Sequence, residues 1–327
     1  MQTQYGDISP RTAGYAVKQF LKRAIPFLVL EKFGQAYVVP NNSTKVAIFR
    51  RYNALDFTPN QLVEGVTPNA KKLTKTDIPV NLVQYGDLIQ LTDVVIDTHE
   101  DPVLMQAVEV LSEQAAQMIE VVRFNVLKAG TNVFYANGAA RSAVNTAVTQ
   151  TMQRRVVRAL KRQNANKITT IIRSTPAYET VNVNAAFLGL IHPDGESDVR
   201  NMAGFTPVER YGQISPFESE IGKNEEVRYV TSTIFSPFAD AGGAAGGNFL
   251  STTGTSCDVY PMLFVGKNAY GIVPLKGQQS VTPMVVNPKP SDSDPLAQRG
   301  WASWKSMQTA AILNDLWMSR LEVAVAN

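Results

Sequence analysis

Residues 101–128 read DPVLMQAVEVLSEQAAQMIEVVRFNVLK, and this stretch decides the fold. Leu104, Val108, Leu111, Ala115, Met118, Val122 and Val126 recur at spacings of four and three, so they share one face of an α-helix. Val103, Ala107, Val110, Ala116 and Ile119 widen that face. Gln106, Glu109, Glu113, Gln117 and Glu120 fall opposite it, toward solvent or a neighbour. Asp101 suits the N-cap and Pro102 the first helical position. Lys128 complements the negative end of the dipole, and Gly130 is a natural stop. At 1.5 Å per residue the helix runs roughly 40 Å, long enough to be the spine of a flat molecule.

The chain around it has 327 residues, 44% hydrophobic and 18% charged, which fits two compact domains or one multi-lobed subunit with a real core. A net charge of +3 is mildly basic and does not by itself point to nucleic acid. Cys257 is the single cysteine, so no internal disulfide forms and a reducing compartment fits. The start, MQTQYGDISPR, lacks the pattern of a signal peptide. The run AIPFLVL (24–30) is too short to span a bilayer and contains Pro26, so no membrane partner is expected.

Upstream of the helix, residues 1–43 read as an arm. A short helix starts at Ser9-Pro10 and a second runs to Phe33, with Gly34 ending it; neither is long enough to bury a core. Residues 44–93 read as an extended β-hairpin. KVAIFRRYN (45–53) and LTKTDIPVNLVQYGDLIQLT (73–92) are strand-like and flank the turn-rich LDFTPNQLVEGVTPNAKK (55–72). A lone two-stranded ribbon is marginal in water and leaves two unpaired edges. The ribbon is therefore expected to rest on a neighbouring copy of the chain, with Glu64, Lys71, Lys72 and Lys75 as candidate contacts; pattern alone equally allows it to pack on its own body.

Downstream, residues 148–163 form an amphipathic helix with Met152, Val156, Ala159 and Leu160 inside. Arg154, Arg155, Arg158, Lys161 and Arg162 make a basic strip that can meet phosphate. A solvated face with acids nearby explains the strip better, because no aromatic residue interleaves with it. KITTIIRS, VRYVTSTIF and VYPMLFV read as strands. DAGGAAGGNFLSTTGTS (240–256) reads as a flexible loop, without a lysine at Walker spacing or a dinucleotide fingerprint. After the proline-rich NPKPSDSDP, the run from Arg299 to Ala326 returns to the core as strand.

No constellation carries chemistry. His99 and His192 lie far apart, without metal-ligand spacing, and read as capping or hydrogen-bonding residues. No nucleophile elbow or Cys–His arrangement is present, so no catalytic residue, metal or cofactor is expected.

The order of features resembles the tailed-bacteriophage major capsid proteins of Hong-Kong-97-like fold, and in particular the phage N-four-type major capsid family. Leu62–Asp93, Glu100–Ala136, IHPD (191–194), EIG (220–222) and Asp294–Ala324 carry the resemblance. It implies an α+β capsid fold: an arm (1–43), an extended loop laid over the adjacent subunit (44–93), a peripheral domain with the spine helix (94–145), an axial domain with part of the peripheral sheet (146–280), and a return to the peripheral domain (281–327). The implied protein is structural rather than enzymatic. It forms pentamers and hexamers of an icosahedral virion shell around double-stranded DNA, is assembled in the host cytoplasm, and works with a portal protein, separate scaffold and decoration proteins being further candidates. Some relatives crosslink through lysine and asparagine; nothing ties Lys71, Lys72 or Lys75 to that reaction, so a non-covalent shell is expected. The alternative is an encapsulin-like nanocompartment shell around a cargo enzyme.

Overall fold

The computed structural model describes residues 28–327 apart from 41, 99–102, 173–179, 213–215, 276–280, 287, 289 and 291–293. The helix start at Ser9-Pro10, the Asp101-Pro102 cap, His99 and most of the proline-rich link lie outside the described residues. In chain order the strands and helices are β1 (Gln35–Ala36), β2 (Val46–Tyr52), β3 (Lys75–Asn81), β4 (Val83–Thr92), α1 (Asp93–Thr98), α2 (Val103–Lys128), β5 (Val133–Tyr135), α3 (Gln150–Arg162), β6 (Ile168–Ile172) and β7 (Thr180–Ile191). There follow α4 (Glu196–Arg200), β8 (Phe205–Pro207), β9 (Glu220–Asn224), β10 (Val227–Thr231), β11 (Tyr260–Val265), β12 (Tyr270–Pro274), β13 (Val281–Val286), β14 (Arg299–Ile312) and β15 (Met318–Val323).

The spine helix α2 is bound to both large sheets. Its first half lays Ala107, Val108, Leu111 and Ala115 on Leu91, Ala302 and Trp304 of β4 and β14. Its last turns put Phe124 and Leu127 among Leu188, Leu190, Leu263, Val265 and Met318 of the second sheet. The Leu127 carbonyl accepts the Gly130 N–H at 3.1 Å, where the helix stops. Two residues depart from the expected faces: Glu120 is fully buried, on the side the periodicity assigns to solvent, and Val110, placed on the apolar face, is exposed.

In the first sheet β14 is the hub. β4 pairs with Arg299–Gln308 along one edge, while β13 and then β12 pair along the other. β14 buries alternate residues, including Ala302, Trp304, Ser306, Gln308 and Ala310, as a strand with one covered face must. The second sheet runs β5-β15-β11-β7-β10-β9-β8, with β6 on β7. Its central strands β11 and β15 are buried at every position. Both faces are covered: Met318 meets the end of α2, and Leu321 and Val323 meet Val156 and Leu160 of α3.

Three sequence expectations need correction. The strand-like run 73–92 is two strands, not one hairpin limb. β3 pairs with β2 from Val46↔Asn81 to Tyr52↔Lys75, and β4 crosses to β14. The division falls at Leu82, whose side chain is buried and whose N–H reaches the Lys45 carbonyl at 2.9 Å. Past it, Tyr85, Ile89 and Leu91 face α2. The glycine-rich stretch 240–256 is tied down rather than flexible. Gly242 N–H donates to Cys257 O (2.9 Å), Cys257 N–H to Gly243 O (2.8 Å), and Asp240 Oδ1 accepts from Ser251 and Thr253 at 3.1 Å each. A Cβ on Gly242 would lie 2.5 Å from the Val144 carbonyl, so glycine here serves close backbone approach. On α3 the buried set is Gln153, Val156, Val157 and Leu160. Gln153 joins Met152, which packs half-buried against the same core, because its amide bonds the Asn224 carbonyl (2.9 Å) and the Tyr229 hydroxyl (2.8 Å).

Candidate assembly surface

The ribbon β2–β3 divides into a fixed root and a free tip. At the root Ala47, Phe49 and Val80 are buried with Val39, Leu82, Val273 and Leu275 of the same chain. A Cβ on Gly271 would lie 2.6 Å from the Phe49 ring, so the glycine makes room for it. The root thus packs on its own body. Further out, Arg50 grips Asp77 with Nε at 2.8 Å and Nη2 at 3.2 Å, and Lys75 Nζ lies 3.0 Å from the same carboxylate. Arg50 first, then Lys75, hold the Asp77 carboxyl down at about 2. Asn53 N–H to Thr74 O, at 2.9 Å, closes the paired part.

Residues 54–74 beyond it are exposed throughout and form neither helix nor strand. They include Leu55, Phe57, Leu62, Val63, Val66 and Leu73, with Phe57 at 96% exposure. A turn is set by Gly65, at φ +77°, with Val66 N–H on Val63 O at 3.1 Å. Apolar side chains gathered on a protruding segment mark a contact surface. Of the four candidate contacts, Lys75 is engaged with Asp77 and Lys71 with the Asp56 carbonyl (2.8 Å). Glu64 and Lys72 are exposed, with no hydrogen-bond or ion-pair partner among the described residues.

The basic strip on α3 is partly answered within the chain. Arg154 Nε donates to Glu225 at 2.8 Å, and Lys161 Nζ lies 2.5 Å from Glu226. These cations pull both glutamates below the usual carboxylate value. Arg155 stands 5.4 Å from the Phe134 ring centroid. Arg158 and Arg162 are exposed, without an ion-pair partner among the described residues.

Sequence reasoning missed three buried carboxylates, each central to a polar knot. Glu120 receives backbone N–H groups from the arm. Glu220, in the EIG motif, accepts from Arg228 Nε (2.8 Å), the Tyr211 hydroxyl (2.7 Å) and the Phe217 N–H (2.7 Å). Glu322 holds Arg141 and Arg320. The partners of Glu120 and the Arg141 partner of Glu322 lie far away in the chain, where spacing holds no signal, whereas Tyr211, Phe217 and Arg228 lie within nine residues of Glu220. His192 does cap a turn, accepting the Asp194 N–H at 3.3 Å. Among the described residues no cluster of three metal-binding side chains occurs.

A family model described as phage capsid protein matches residues 75–316. The chain belongs to this phage capsid protein family. The capsid protein shares its fold with the capsid of Ralstonia phage GP4: TM-score 0.66 at 12% identity, covering 90% of this chain and 87% of that one. The capsid of cyanophage Pam1 matches at TM-score 0.62 and 12% identity over 93% and 92% of the two chains. The head structure of Helicobacter pylori bacteriophage KHP40 matches at 0.60 and 10%, over 92% and 90%. No curated protein matches. The capsid protein is therefore a structural component of a phage virion shell, and a nanocompartment is not favoured.

Proposed function

We propose that copies of this capsid protein close into an icosahedral shell of pentamers and hexamers around double-stranded DNA, each copy laying its ribbon tip on the next. The carrying observation is the ribbon itself: its root is fixed by Phe49, while residues 54–74 expose apolar side chains that the chain's own fold leaves uncovered. A tip seated on a different surface of the next copy is a head-to-tail contact, which closes into rings. Many such modest contacts hold a shell by avidity, without covalent links or catalysis. In this reading residues 94–145 are the peripheral domain with its spine, 146–280 the axial domain and 281–327 the return strand. Arg155, Arg158 and Arg162 are the candidates for non-specific contact with packaged DNA. A portal, and any scaffold or decoration protein, are separate chains, and assembly takes place in the host cytoplasm.

Deleting Leu55–Lys72 tests this, because Asn53 and Thr74 remain to close the hairpin. The expected result is folded, soluble subunits that give no particles by electron microscopy. Normal particles from the deletion would remove the mechanism. Extracting the contents of wild-type particles separates the two shell types: DNA supports the virion, a protein cargo the nanocompartment.

A further inference from the structure

Three cations converge on the ring of Phe238. Arg141 Cζ lies 3.4 Å from its centroid, Lys128 Nζ 3.8 Å and Arg320 Cζ 6.0 Å. One carboxylate answers them. Glu322, fully buried, takes Arg141 Nε and Nη2 at 2.8 Å each, and Arg320 Nε lies 2.9 Å from it. Lys128 forms no ion pair among the described residues; its ammonium donates to the Ser236 carbonyl at 3.0 Å. Ser236 does not exhaust the ammonium's donors, and the Glu322 pair leaves Nη1 of Arg141 aside. Burial, then Arg141 and Arg320, push the Lys128 ammonium below its ordinary value. The end of the α2 dipole favours a cation there, yet Arg320 Nη1 already takes the Lys128 carbonyl. A surplus of positive charge is thus held beside an aromatic ring where solvent reaches it: the Arg141 side chain is 32% exposed.

The surplus is distinct from the strip on α3. Along β15, Met318, Arg320 and Glu322 point to the side of the sheet where α2 ends, while Leu321 and Val323 point to α3. The two basic clusters therefore lie on opposite faces of one sheet.

We propose that Lys128 and Arg141, both stacked over the Phe238 ring, bind a phosphate group. A phosphate dianion matches the surplus in charge, and its oxygens accept from the free ammonium and guanidinium donors. The site does not depend on the shell reading. Free phosphate and the phosphate of a nucleic acid share this chemistry, and the experiment separates them.

The full-length protein is titrated with inorganic phosphate against sodium chloride at matched ionic strength, following melting temperature and heat of binding. Lys128→Met keeps the side-chain stem over the ring, and Lys72→Met on the ribbon is the control. Phosphate is expected to raise the melting temperature of the wild type and the control beyond the chloride effect. Lys128→Met is expected to lose affinity about tenfold, the worth of one charge-assisted bond. Equal response to phosphate and chloride, or an unchanged affinity in Lys128→Met, overturns the site. Should Lys128→Met lower the melting point in chloride, Arg141→Lys, which keeps the charge but not the fork, serves as second variant with the same expected loss. A short DNA duplex that competes with phosphate identifies nucleic acid as the source; phosphate binding that the duplex leaves unaffected identifies free phosphate.

Discussion

The Glu120 carboxylate, buried in the spine helix, accepts the backbone N–H of Leu30 at 2.8 Å, and that of Val29 at 3.1 Å through the same oxygen. Around this joint Arg123 reaches Glu31 at 3.2 Å and Gln308 at 3.1 Å, and the Tyr270 hydroxyl donates to Leu30 O at 2.6 Å. The end of the arm is thus latched onto the spine through a carboxylate with little else to solvate it. Burial, outweighing Arg123 and the two amides, raises Glu120 from 4.5 to about 7. A raised carboxyl holds its proton more tightly in the folded chain. Its contribution to stability is therefore full below pH 4.5, declines as pH rises toward 7, and is level above that. The shift corresponds to something on the order of 3 kcal/mol. Urea midpoints between pH 5 and 8 should fall for the wild type relative to Glu120→Gln; parallel profiles would mean that Glu120 does not titrate there.

The ribbon root makes a second, pH-independent prediction. Phe49 is buried among Val80, Val273 and Leu275, and its ring occupies the space a Gly271 side chain would need. Phe49→Ala should cost about 3–5 kcal/mol. Gly271→Val should act on the same joint from the other side by expelling the ring. Limited proteolysis then reads the outcome: cleavage should spread from residues 54–74 into β2 and β3 in both variants. Cleavage confined to the tip would show that the root does not depend on this contact.

Periodicity made the spine legible, because one helix face packs along almost its whole length; the apolar and aromatic content of 299–326 did the same for β14, covered on one face. β7 was illegible. Its TVNVNAAFLGLI is poor in β-branched residues at its centre, and it is a strand because its neighbours β10, β11 and β6 pair with it. The ribbon was half legible: two strands and a tip follow from composition, but Leu82, where β3 ends and β4 leaves for β14, looks like any other strand residue. The loop at 240–256 was misread because glycine reports flexibility and close packing alike. Of the assembly surface, the tip's bounds were legible but its exposed apolar residues were not singled out; the acids that occupy Arg154 and Lys161 were illegible, being 71 and 65 residues away.

Glu322 gives a prediction about buried charge. It lies fully buried between Arg141 and Arg320, with Lys128 near. Replacing it leaves cations facing one another in a partly desolvated space, and losing one partner of a buried pair costs roughly 3–5 kcal/mol. Glu322→Gln should therefore lower the denaturation midpoint far more than Glu64→Gln on the exposed tip. Equal effects would mean that the guanidiniums reach water without opening the sheet.

The α3 strip separates two kinds of arginine. Arg154 is committed to Glu225 and Lys161 to Glu226, whereas Arg158 and Arg162 are exposed without ion-pair partners among the described residues. If this face meets packaged DNA, each free cation that touches a phosphate releases counterions on binding. Removing it should lower the slope of log affinity against log salt by about one. Arg158→Gln and Arg162→Gln should do so, with affinity reduced alike for unrelated duplex sequences. Arg154→Gln and Lys161→Gln should leave the slope unchanged, because those side chains are already held by carboxylates. Salt titrations of duplex binding by the purified chain give the slopes directly. Four equal reductions would show that the glutamates release their partners to DNA, and no reduction in any variant would place the DNA-facing surface elsewhere.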